Sequence, residues 1–196
     1  DRKGQREAYQ RVLALDPRFR PVVINMSLLD MDEGKFDDAR ARLVASLKTR
    51  ANDPDVLFQL GVLEQRANRP TEALAHWAKA DAASQGKDPR AGLSSVDLLL
   101  LLRQNDQALT TAKVLAGQFP QAVPVQLALA QAYMATGDLS MARSVLQEAG
   151  RFAGADVGYL ITIGRTQLTA GHLDGANYSV SKALQVAPND LGAMVL

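Results

Sequence analysis

Alanine recurs at Ala39, Ala73, Ala108, Ala142 and Ala176, at intervals of 34, 35, 34 and 34 residues, each time a few residues after a turn-like stretch. A period of about 34 residues accommodates two short helices and their turns, and units of that size stack into all-α solenoids that bind other molecules. The 196 residues are 47% hydrophobic and 22% charged, enough apolar side chain to bury a core. Because a repeat array is one quasi-linear body, the chain reads as a single domain over 1–196.

With the recurring alanine set at position 20, the other positions fall into register. Position 8 is mostly small: Ser27, Gly61, Val96, Ala130 and Gly164. Small side chains there let two helices approach closely. Position 7 (Met26, Leu60, Ser95, Leu129, Ile163) and position 24 (Tyr9, Leu43, Trp77, Ala112, Leu146, Val180) supply the larger groups that fill the space beside them. Position 15, between the paired helices, holds Gly34, Asn68, Arg103, Gly137 and Gly171, and all but Arg103 suit the left-handed conformation that ends a helix.

Capping signals agree with this frame. Asp53-Pro54 and Asp88-Pro89 read as an N-cap followed by proline at the first helical position, and Asp138 sits where a cap belongs. These signals predict helices near 2–15, 20–33, 36–49, 54–67, 70–84, 89–102, 105–118, 123–136, 139–152, 157–170 and 173–187, with another beginning near 190. The corresponding units run near 1–19, 20–53, 54–88, 89–122, 123–156, 157–190 and 191–196. Terminal repeats normally carry a polar capping face, so a chain that starts and stops in mid-unit reads as a fragment of a longer array, with ends suited to self-association.

The pattern resembles the tetratricopeptide repeat. It is carried best by Leu60-Gly61…Ala73…Trp77…Ala80 and by Leu129-Ala130…Tyr133…Gly137-Asp138…Ala142…Leu146…Ala149, while the unit around Gly92, Ser95, Val96 and Arg103 is degenerate. That resemblance implies a right-handed superhelix of antiparallel helix pairs, about 11–12 helices in all. Within the family, Asn25-Met26-Ser27-Leu28-Leu29-Asp30…Glu33-Gly34-Lys35 and Glu72-Ala73-Leu74-Ala75-His76-Trp77 are similar to repeats of bacterial lipoproteins encoded with exopolysaccharide and PEP-CTERM sorting systems. This finer likeness implies a periplasmic or outer-membrane-anchored scaffold, with a cytoplasmic location as the alternative.

In such arrays the first helix of each pair lines a concave face, chiefly through positions 2, 5, 9, 12 and 13. The residues assigned to a partner-binding groove are therefore Ile24, Leu28 and Met31; Phe58, Val62 and Arg66; Leu93 and Asp97; Leu127, Gln131 and Met134; and Ile161, Arg165 and Leu168. The stripe is largely apolar and suits an amphipathic helix or extended peptide, with Arg66, Asp97 and Arg165 fixing its polarity. Phe58→Arg or Leu127→Arg is expected to abolish partner capture with thermal stability nearly intact. Family members that grip a peptide carboxylate do so with lysine at position 5 and asparagine at position 9. Here position 5 is always apolar and position 9 is Leu28, Val62, Asp97, Gln131 or Arg165, so that clamp is absent.

Little else in the chain suggests chemistry. With no cysteine there are no disulfides, thiolate metal sites or thiol nucleophiles. His76 and His172 stand far apart and read as surface or turn residues, and no metal site, cofactor or catalytic constellation is expected. Asp30-Met31-Asp32-Glu33 and Asp37-Asp38 read as solvated helix ends. The longest apolar run, Leu98–Leu102, is far short of the roughly 18 residues of a membrane span. Its five leucines exceed one helix face, so either several sides are covered or the groove there is greasy.

A net charge of +1 argues against nucleic acid as a partner, since phosphate binding favours a strongly basic face. The leading reading is a non-enzymatic scaffold that binds a protein or peptide. Two alternatives are the substrate-selecting array of a larger enzyme, such as a glycosyltransferase, and a helical-repeat RNA reader. The apolar stripe argues against the last.

Overall fold

Among the described residues the chain forms twelve α-helices: α1 (Arg2–Leu15), α2 (Arg20–Asp32), α3 (Phe36–Leu47), α4 (Pro54–Arg66), α5 (Pro70–Ser84), α6 (Arg90–Leu101), α7 (Asn105–Gln118), α8 (Val123–Ala135), α9 (Leu139–Phe152), α10 (Val157–Thr169), α11 (Leu173–Val186) and α12 (Leu191–Met194). The structure, a computed structural model, describes residues 2–196; Asp1, the first residue of the unit expected over 1–19, lies outside them. Helix starts follow the capping logic. Asp53 accepts backbone N–H bonds from Asp55 and Val56, Asp138 from Met141, Asp156 from Tyr159 and Asp190 from Ala193.

All five position-15 residues have positive φ, from 58° at Asn68 to 85° at Gly137. Arg103 is among them at 60°, so the degenerate unit keeps the turn geometry without the residue that suits it.

The helices gather into two compact units, Asp1–Ala91 and Gly92–Leu196. In the first, α2 pairs antiparallel with α3 and α4 with α5. Its core holds Met31, Ala39, Leu43, Val56, Leu60 and Leu63, with Leu28, Phe36 and Leu47 packed against it. The recurring alanines are helix contacts: Ala39, Ala73, Ala108 and Ala142 are 0% exposed and Ala176 2%. Gly61 shows why position 8 is small, because a Cβ there would fall inside the Trp77 indole. Trp77 is buried in turn, and its Nε1–H donates to the Phe58 carbonyl at 3.2 Å.

In the second unit α8 pairs with α9 and α10 with α11. α8 is apolar on nearly every side, and nine of its residues from Val123 to Tyr133 are buried. The core around it includes Leu127, Ala130, Leu146, Ala149, Leu160 and Ile163. Within the five-leucine run Leu98 and Leu99 are buried while Leu101 is largely open to solvent.

Position 11 was the least legible part of the repeat. It places acids inside the first unit. Asp30, in the run expected to be a solvated helix end, is 1% exposed and is held by Arg6 at 2.8 Å and Arg42 at 3.1 Å. Glu64, at the same position one repeat later, is 3% exposed and takes two bonds from Arg40, Nε at 2.7 Å and Nη2 at 2.9 Å. Arg6 and Arg40 both occupy position 21 and reach forward to the next repeat's acid. The expectation for Asp30 is therefore corrected: two guanidinium groups compensate the desolvation that would otherwise keep a carboxylate at the surface.

Candidate functional site

The residues assigned to the stripe stand on the first helices of the pairs, at positions 5, 9, 12 and 13 of the repeat, and their exposure differs from one repeat to the next. In the first unit these come from α2 and α4. Ile24, Leu28, Phe58 and Val62 are half-buried, while Arg66 is exposed. The charged groups around them neutralise one another. Arg66 Nη1 lies 2.7 Å from Asp32 Oδ1, and Asp55 is shared between Arg20 at 3.0 Å and Arg90 at 2.6 Å. The Arg90 guanidinium also sits over the Phe58 ring, 5.1 Å from its centroid, and so covers part of that apolar surface. Paired with Asp88 and Asp55, Arg90 is held above the ordinary guanidinium pKa, and Asp88 is held below the ordinary carboxyl value chiefly by its hydrogen bonds to Arg90.

The second unit takes its stripe from α6, α8 and α10. Leu93, Met134 and Ile161 are half-buried and Leu168 is 37% exposed. The position-9 residues differ from those of the first unit. Asp97, Gln131 and Arg165 are exposed, and their side chains have no hydrogen-bond or ion-pair partner among the described residues. Asp97 keeps an open face, yet enough of its carboxyl is withdrawn from water to push its pKa above the ordinary value.

Two of the assigned residues are not surface at all. Met31 is 3% exposed in the first core and Leu127 is 8% exposed in the second. Leu127 is enclosed because α8 is surrounded, and Met31 because its flexible side chain fills the gap beside Leu43 and Leu60. Leu127→Arg would place a charge in the core, so the expectation that it spares stability is corrected.

Both histidines are half-buried: His76 lies within α5 and His172 at the N-cap of α11. Burial pushes the His76 imidazole below its ordinary pKa. Among the described residues there is no group of three side chains able to hold a metal ion, and no helix is long and apolar enough to cross a membrane.

Sequence reasoning missed the buried acids because each one's partner stands a helix pair away. Tabulating position 11 (Asp30, Glu64, Leu99, Tyr133, Gln167) against position 21 (Arg6, Arg40, Leu74, Leu109, Arg143, Asn177) would have shown arginine preceding both acids.

No family model matches the chain, and no curated protein matches it in sequence. Solved structures do match its fold. PilW, a widely conserved type IV pilus biogenesis factor, is similar at 19% identity with a TM-score of 0.71, covering 100% of this chain and 90% of that one. MamA from Desulfovibrio magneticus RS-1 is similar at 18% identity and TM-score 0.63, over 87% of this chain and 96% of that one. YrrB, described as a tetratricopeptide-repeat protein with an unusual peptide-binding site, is similar at 16% identity and TM-score 0.58, over 97% of each chain. The fold is thus that of tetratricopeptide-repeat proteins.

Proposed function

We propose that this chain is a non-catalytic scaffold whose first-helix stripes hold a peptide or helix from a partner protein, its units acting as consecutive parts of one repeat array. One observation carries the reading: in the second unit Asp97, Gln131 and Arg165 stand without internal partners beside half-buried Leu93, Met134 and Ile161. Water solvates these groups in the free chain, and a bound peptide would replace it with a backbone for the amide and side chains for the charges while covering the neighbouring apolar surface. The first unit has an apolar component of its own in half-buried Ile24, Leu28, Phe58 and Val62. The peptide-binding site described for YrrB supports a binding role for such a fold. An envelope setting, with exopolysaccharide export or PEP-CTERM sorting as its context, rests on the resemblance of the stretches at 25–35 and 72–77. A lipid-modified cysteine after a signal segment in the full reading frame would support it, and a cytoplasmic start would remove it.

The binding claim is tested by selecting peptides from a displayed random library against the purified chain. Arg165 and Leu168 are exposed, so Arg165→Glu and Leu168→Glu leave the melting temperature unchanged. The selected peptides are expected to bind either variant at least about tenfold more weakly than wild type. Selection that yields no common pattern, or peptides that bind both variants as well as wild type, would defeat the reading.

A further inference from the structure

A cleft of about 470 Å³ opens between the second helices α9 and α11, on residues the stripe does not use. Its origin is visible in the repeat register. Position 28 of the second helix holds Leu13, Leu47, Asp81, Ala116 and Leu184 elsewhere in the chain but Gly150 here. Position 19 holds Gly4, Asp38, Glu72, Gln107 and Met141 elsewhere and Gly175 here. Among the junctions of the described residues this one alone carries glycine at both places, so no side chain at position 28 or 19 narrows the cleft.

The two glycines act differently. A Cβ on Gly150 would meet nothing within 4 Å, so that wall is simply open. A Cβ on Gly175 would stand 2.6 Å from His172 Nδ1 and 2.9 Å from Gln167 Nε2, so only glycine lets the imidazole and the amide lie down against α11. Gln167 and Ser179, 3% and 2% exposed, form the floor through a 2.8 Å bond from the Ser179 hydroxyl to Gln167 Oε1. His172 Nδ1 is buried with no hydrogen-bond partner. A buried ring nitrogen left unpaired at the edge of a cavity is what a ligand would complete.

Charge indicates the kind of ligand. Lys182 and Arg151 line the cleft against a single acid, Asp174. Neither cation is firmly committed: Lys182 Nζ reaches only the Gly150 carbonyl at 3.4 Å, and Arg151 pairs with Glu148 where both side chains are solvent-exposed. Tyr178, 67% exposed, adds apolar surface for the body of a molecule. The volume lies within the range of small-ligand sites, roughly 300–1,000 Å³.

We infer that this cleft binds an organic carboxylate, its charged end set against Lys182, Arg151 and the unpaired His172 nitrogen and its carbon body lying over the Tyr178 ring. The carboxylate comes either from a free small acid or from an acidic side chain of a bound protein. This site is independent of the first-helix stripe.

The test is a titration of the ¹⁵N-labelled chain, followed by heteronuclear NMR, with benzoate and with N-acetylglutamate amide. Benzamide and N-acetylglutamine amide serve as the neutral counterparts. The carboxylates are expected to move the amide signals of Gly150, Gly175 and Ser179 and the ring signals of His172, and to bind at least about tenfold more tightly than their neutral counterparts. Tighter binding of benzoate assigns a free acid as the natural ligand, and tighter binding of the blocked glutamate assigns a protein side chain. Gly150→Leu restores the leucine found at this position in other repeats. It is expected to abolish binding without lowering the melting temperature, because leucine also favours the helix over glycine. Lys182→Gln is expected to weaken binding several-fold. No movement at these residues with either carboxylate, equal response to the neutral counterparts, or undiminished binding by Gly150→Leu would overturn the inference.

Discussion

Replacing Arg40 with leucine isolates Glu64, one of the buried acids of the first unit. The Glu64 carboxylate, with only 4% of its side chain exposed, would lose both bonds from Arg40 and keep only Arg69, 3.6 Å away. Removing one partner of a buried pair costs about 3–5 kcal/mol. Arg40 is itself 24% exposed and Arg69 remains, so the loss here is reduced to about 2–3 kcal/mol. With a urea m-value near 2 kcal/mol/M, the unfolding midpoint followed by circular dichroism should fall by about 1–1.5 M at neutral pH.

The double variant Arg40→Leu/Glu64→Leu removes both charges and should recover to within about 1 kcal/mol of wild type. The pH dependence gives an independent sign. In wild type the Arg40 bonds hold Glu64 below its ordinary pKa of 4.5, so its stabilising contribution is present above that value and lost as pH falls through the depressed folded pKa. In Arg40→Leu, burial dominates and the folded pKa rises above 4.5, so the penalty is fully present at neutral pH and fades as the carboxyl takes up a proton. The gap between variant and wild type must therefore close on acidification. A loss under about 0.5 kcal/mol, a double variant no better than the single, or a gap that widens toward low pH would refute the reasoning.

Two further perturbations probe the repeat geometry. Gly61→Ala forces a methyl group into the Trp77 indole, and after allowing for the better helix propensity of alanine it should cost about 1–2 kcal/mol; the loss is read by denaturation and by the emission shift of Trp77, the one tryptophan. Arg103→Gly relieves a left-handed residue at φ 60° and should stabilise the second unit by about 1 kcal/mol, measured as a rise in urea midpoint.

The helices were legible because their signals are local. Asp53-Pro54 caps α4 where the sequence places it, and the glycines at position 15 turn as glycine does. The alanines were legible because close packing tolerates nothing larger at those contacts, whichever repeat they stand in. The state of Asp30, Glu64, Met31 and Leu127 could not be read the same way. Each depends on a neighbour outside its own helix: Arg6 and Arg42 for Asp30, Arg40 for Glu64, the core leucines for Met31, and the elements that enclose α8 for Leu127. A period of 34 says where a side chain sits in the unit but not whether the next repeat supplies the group that would bury it.

That dependence also separates the residues that fold this chain from those left over for binding. At position 11 the carboxylate of Glu64 captures Arg40, whereas the neutral Gln167 takes Ser179 and leaves the equivalent arginine, Arg143, with only long 3.4 Å bonds to the carbonyls of Ala170 and Gly171. At position 9 the first unit has Leu28 and Val62, while the second has three polar residues without internal partners. The first unit thus spends its charges on itself, through the Arg40–Glu64 and Arg66–Asp32 pairs. In the second unit, Asp97, Gln131 and Arg165 at position 9 leave an unpaired polar row on one set of helices, and Gly150 and Gly175 leave a cleft between two helices of the other. Binding specificity in this chain should accordingly follow the exposed position-9 residues of the second unit, and replacing Asp97, Gln131 and Arg165 by the leucine and valine of the first should move affinity more than it moves stability.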